Sequence, residues 1–125
     1  KVIGIINKCK EMNYVNLIGQ MCSEPKYITL KNGRKIARFN ICTKEHYLDA
    51  AGNSLVRKDY HLLCAWGKWL SVVKTIQNFN SYIAVEGKIM SRFYVEKGQK
   101  KHISEIEIND LLFIENEKFT QRNMA

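Results

Sequence analysis

Apolar and polar positions alternate along most of this chain with a period of two, the signature of strands with one buried face. "NYVNLIGQM" (13–21) predicts a first strand and "KIARFNICTK" (35–44) a second, with Ile36, Arg38, Asn40 and Cys42 on one face and Ala37, Phe39 and Ile41 on the other. A third runs over about 57–66, "YIAVEGKIMSRFYV" (82–95) is a long fourth, and "KHISEIEINDLLFI" (101–114) a fifth. "KWLSVVKTIQNF" (68–79) breaks the alternation, placing Leu70, Val73, Ile76 and Gln77 at helical spacing. Turn signals at Asn32-Gly33, Gly52-Asn53 and Gly98-Gln99, and a single proline, Pro25, separate the segments.

Five strands with one α-helix between strands 3 and 4 predict a mainly all-β fold, the five-stranded OB-fold barrel. A length of 125 residues suits one domain and one core. Residues 12–114 are assigned to that domain. Residues 1–11 precede an internal Met12-Asn13 and read as an N-terminal extension or an added remnant, although "VIGII" also suits an extra strand at a subunit edge. Residues 115–125 are a short polar C-terminal segment, expected to fray.

Charge narrows the class of partner. Twenty Lys and Arg against twelve Asp and Glu leave +8, which favours a polyanion. No apolar run approaches a membrane span, so the chain is read as a soluble cytoplasmic protein with no membrane partner. Cys9, Cys22, Cys42 and Cys64 are widely spaced, without a Cys-x-x-Cys pair or histidines at finger spacing. They are read as reduced, packed thiols, and no metal and no cofactor is assigned.

Enzymatic signals are weak. Gly67-Lys68 and Gly87-Lys88 lack the upstream glycine and following hydroxyl of a phosphate loop. His46, His61 and His102 have no Ser or Cys at a nucleophile's spacing, and His61 is expected to make a structural hydrogen bond. Glu105 and Glu107 share a strand face and are read as a solvated pair.

The stretch "VRKDYHLLCAWGKW" (56–69) is harder to place as ordinary core. It puts Tyr60, Leu62, Cys64 and Trp66 on one face and His61, Leu63 and Ala65 on the other, so neither face is plainly the wet one. Basic residues flank it at Arg57, Lys58 and Lys68. Two further clusters, Lys31, Arg34, Lys35 and Arg38, and Lys88, Arg92, Lys97, Lys100 and Lys101, frame strands with exposed-type aromatics. Aromatics interleaved with cations are what single-stranded nucleic acid requires, because every base has a π-face and every nucleotide a charge.

"NLIGQMCSEPKY", "NGRKIARFNICTKE", "DYHLLCAWGK" and "VEGKIMSRFYVEKGQKKHISEIEI", in that order and spacing, resemble the bacterial-type single-stranded DNA-binding protein family from about Asn13 to Ile114. The resemblance implies base stacking on Tyr47, Tyr60, Trp66 and Tyr94, with Lys68 and Arg92 at matching basic positions. Arg34, Lys35, Arg38, Lys44, Arg57, Lys58 and Lys88 join them as expected phosphate contacts on charge alone, Arg38 standing where the family commonly has asparagine. It implies single-stranded DNA as partner, a homotetramer assembled through the first strands, and roles in DNA replication, repair and recombination. Leu62 and Met90 stand where the family often has a base-contacting cation, and Cys22 replaces a usual glycine. The family's acidic, partner-recruiting tip is not found after Ile114, so this is either a trimmed domain or a protein without that means of recruiting replication and repair proteins. An OB-fold module for structured RNA and an accessory subunit of a replication-restart complex remain as alternatives.

Overall fold

The computed structural model describes residues 11–114. Its strands are β1 (Val15–Met21), β2 (Lys26–Thr29), β3 (Lys35–Leu48), β4 (Ser54–Trp66), β5 (Tyr82–Glu96) and β6 (Gln99–Ile114); the helix α1 (Lys68–Lys74) lies between β4 and β5. The strands hydrogen-bond in the order β1-β5-β6-β4-β3-β2, and β1 meets β3 again at Gln20–Cys42 and Met21–Ile41. Five strands thereby close into the OB-fold barrel, with the helix between the third and fourth strands of the ring. The short β2 lies outside the ring, paired only to β3. Four residues carry too little alternation to announce a strand.

The inward set is the one the alternation selects. Ala37, Phe39 and Ile41 of β3, Leu63 and Ala65 of β4, Ile83 and Val85 of β5, and Ile106 and Ile108 of β6 pack with Met21 into one core. Val73 of α1 and Ile76 beyond it close one end. Two glycines make this geometry possible. At the β5–β6 register shift a Cβ on Gly87 would lie 2.2 Å from the Glu107 carbonyl oxygen, so only glycine lets the strands approach. Gly67 turns β4 into α1 with φ of 61°, a region L side chains rarely adopt.

The helix is shorter than its spacing predicts and ends at Lys74. The Thr75 hydroxyl donates back to the Val72 carbonyl at 2.6 Å, and the Ile76 amide bonds the Val73 carbonyl, one residue tighter than an α-helix. Asn78 then accepts the Asn80 amide and the Ser81 hydroxyl, fixing a turn. Ile76 still reaches the core, whereas Gln77 is exposed and belongs to no helical face.

Between β4 and β6, register is confined to Leu63–Ile106 and Cys64–Glu107. Beyond these pairs the β3–β4 hairpin continues to Leu48–Ser54 and the β5–β6 hairpin to Glu96–Gln99. The barrel therefore carries two two-stranded arms. Lys97 and Gly98, both at positive φ, make the two-residue turn of the β5–β6 arm.

Candidate nucleic-acid interface

Strand register sorts the residues expected to bind. Lys44–Lys58, Cys42–Tyr60 and Arg38–Cys64 are direct partners across β3 and β4, while Cys64–Glu107 and Glu107–Lys88 carry the same face over β6 to β5. Partners in register point to one side, so Lys44, Lys58, Tyr60, Leu62, Trp66, Lys88, Arg92 and Tyr94 share one outward surface with Arg38. Tyr60 is 65% exposed there, Tyr94 47% and Trp66 38%. These rings sit on solvent rather than in the core.

Lys44 and Lys58 lie directly opposite each other on this surface and both are exposed. Like charges in that position repel. An anion laid between them would remove the repulsion.

Two expected members fall elsewhere. Tyr47 pairs with Leu55 and Arg57 with Glu45, five and three residues along the ribbon from Cys42–Tyr60. An odd offset places them on the opposite face of the β3–β4 arm. Arg57 also bonds Asp59, Nε to Oδ2 at 3.1 Å, which offsets its charge. Arg34 sits before β3 with its guanidinium carbon 3.6 Å from the Trp66 ring centroid, covering one π-face. Lys35 is exposed at the start of β3, and Lys68, the first residue of α1, holds its Nζ 4.8 Å from the Trp69 ring.

Glu105 and Glu107 are not solvated, which corrects the sequence reading. Both are buried, Glu105 almost completely. Arg38 Nε donates to Glu105 Oε2 at 2.9 Å, Arg92 Nε donates to Glu105 Oε1, and Arg92 Nη2 lies 3.6 Å from Glu107 Oε2. A buried carboxylate needs such partners, and two arginines with two glutamates leave the centre of the surface neutral. The hydrogen bond to Glu105 raises the Arg92 pKa, holding its charge more firmly. Beneath them, burial and then the Glu105 charge push the Cys64 thiol up to about 11. The signal was present in "HISEIEIND": two acids on one strand face, opposite strands with arginines on the matching side.

Other expectations resolve simply. His61 Nε2 and Thr43 Oγ1 are 2.9 Å apart, the structural hydrogen bond predicted. Cys64 is buried and Cys42 half-buried, but Cys22 is exposed and so is not a packed thiol. Cys9 lies outside the described residues. Among the described residues no group of three or more His, Cys, Asp or Glu is placed to hold a metal, and no helix is long and apolar enough to cross a membrane.

The model of the single-strand binding protein family matches residues 12–114. Single-stranded DNA-binding protein 1 of Chlorobaculum tepidum is 28% identical over 102 residues, 80% of this chain and 63% of that protein. The chain thus spans under two thirds of that relative's length. The structure titled Plasmodium falciparum SSB complex with ssDNA superposes with a TM-score of 0.74 at 26% identity, over 85% of this chain and 97% of that one. A deletion mutant of the single-stranded DNA binding protein from Thermus aquaticus gives 0.71 at 22% identity, over 84% of this chain and 51% of that one, a likeness of fold alone. With the barrel, its two arms and a family match that covers nearly all the described residues, the chain belongs to the single-strand binding protein family.

Proposed function

We propose that this chain is a non-enzymatic binder of single-stranded DNA, largely indifferent to sequence, acting where replication, repair and recombination expose unpaired strands in the cytoplasm. The observation that carries this reading is the shared outward surface on which exposed Tyr60, Trp66 and Tyr94 stand beside the exposed Lys44–Lys58 pair. Bases stack on the rings while phosphates pass over the lysines and Lys88. Tyr47, Arg34, Lys35, Arg57 and Lys68 contribute from the margins, which a strand reaches by following the arms. Arg38 and Arg92 offer only the guanidinium edges that Glu105 leaves free. The same surface reads no base edges in an ordered way, hence the tolerance of sequence. Holding the unpaired state melts hairpins by mass action.

The homotetramer is part of the proposal. Among the described residues β1 pairs with β3 only at Gln20 and Met21, so the edge of Val15–Ile18 is available to a second β1. Ile18, Ala84 and Leu112 are in register across β1, β5 and β6, and Ile18 and Leu112 are exposed. That apolar row suits a face-to-face contact between dimers.

Titration with poly-dT, followed by tryptophan emission at two salt concentrations, tests the function. Tight, salt-sensitive binding with quenching is expected. A preference for folded RNA over poly-dT in direct competition would overturn it in favour of an RNA-binding module.

A further inference from the structure

The β5–β6 arm has a second face that neither the family match nor the aromatic set above assigns. Register pairs Phe93 with His102 and Val95 with Lys100, opposite in direction to Tyr94 and Arg92. Phe93 is 62% exposed, and Ile89 and Val95 on the same side are exposed too. The Phe93 and His102 ring centroids lie 5.0 Å apart with planes tilted 40°, and Lys100 Nζ lies 4.6 Å from the Phe93 centroid. An exposed ring topped by a cation repeats the arrangement of Trp66 and Arg34.

This face is continuous with the proposed DNA surface. A groove of about 230 Å³ separates the arms, lined by Tyr60, His61 and Leu62 on one side and by Ile89, Ser104, Ile106 and the arginine-paired Glu105 on the other. A strand stacked on Tyr60 and entering this groove next meets Ile89 and then, two residues further on each step, Ser91 and Phe93. Charge selects the occupant: between residues 93 and 102, Lys97, Lys100 and Lys101 against Glu96 leave 3 − 1 = +2. A second protein copy meeting this tip would bring the same positive charge against it. A polyanion would not.

We propose that Phe93, held by His102 and partnered by Lys100, is a further base-stacking platform, so that single-stranded DNA engages both faces of the β5–β6 arm. The proposal rests on the single-strand reading above. On binding, the Lys100 ammonium leaves the ring for the neighbouring phosphate and a base takes its place.

Phe93→Leu keeps apolar bulk and removes the π-face, while Phe93→Tyr keeps both. In poly-dT titrations of the full chain, Leu should lose at least about fivefold in affinity and Tyr should stay near wild type. Melting temperature should not move in either, because the ring is exposed. An oligonucleotide carrying 5-iododeoxyuridine should form a photo-adduct at residue 93 itself. If wild type binds tightly and the Leu variant binds equally well, the platform is wrong while the single-strand reading stands. A Leu variant that changes only its sedimentation would give the face to another copy of the chain. Failure of wild type to bind poly-dT would remove both.

Discussion

At the scale of single residues, exposure separates platforms from core. Stacking of a base on an aromatic is worth about 1–3 kcal/mol, a range taken from single-strand binders of this very class. Tyr60→Ala is expected to cost that much affinity with little change in melting temperature, whereas Phe39→Ala, fully buried, should cost about 3–5 kcal/mol of stability. Isothermal titration and thermal denaturation of the two variants distinguish the roles. Trp66→Phe should retain affinity yet lose most of the emission quenching, since Trp69 packs against the core. Charge divides in the same way. Lys58→Gln should flatten the slope of log affinity against log salt by about 0.7 and leave folding intact. Arg38→Met should do the reverse, lowering the melting temperature because Glu105 loses a partner, with the salt slope nearly unchanged. Thiol labelling at pH 8 should modify exposed Cys22 well before Cys64. Cys64, buried and with its pKa pushed up to about 11, should react only on unfolding.

At the scale of elements, the strands were legible and their limits were not. The inward parity of Ala37, Phe39, Ile41 and Leu63 follows from alternation alone, because one face of each ring strand is dry. The arms were under-read for the opposite reason: past Thr43 neither face is dry, so β3 continues to Leu48 through "KEHYL" without a hydrophobic rule. The same exposure hides which way Tyr47 points. That direction depends on register with Leu55, a pairing no local pattern states. Burial of Glu105 is not legible in the sequence because a carboxylate on a strand is ordinarily wet, and only the arrival of Arg38 from β3 and Arg92 from β5 makes its burial tolerable. The β3–β4 turn carries its own titration. Asp49 accepts the amides of Ala51 and Asn53 at 2.9 and 2.8 Å, and these bonds lower its carboxyl pKa, that of Asn53 foremost. A depressed folded pKa contributes order above the ordinary carboxylate value and loses it as pH falls through the lowered one. Amide resonances of residues 49–53 should therefore broaden or shift in acid below about pH 4, while those of the barrel hold.

At the scale of the whole molecule, the chain offers surfaces that suit the proposed assembly. In the proposed assembly the β1 edge and the Ile18–Ala84–Leu112 row serve the oligomer, and they adjoin the proposed DNA surface, since Ile18 and Lys44 line one pocket. Equilibrium sedimentation is expected to give a tetramer at micromolar concentration, and Ile18→Glu to reduce it to smaller species without abolishing poly-dT binding by each subunit. The register between β4 and β6 has a last consequence. Past Cys42–Tyr60 in one arm and Met90–Glu105 in the other, strand pairing among the described residues is confined to each hairpin, so the amides there can exchange with deuterium through local opening that leaves the barrel shut. On the proposed path along the arms, bound DNA closes that opening. The arms should then be slow to exchange in the complex and fast without it, against a barrel that changes little, so that the exchange map alone traces where the strand lies.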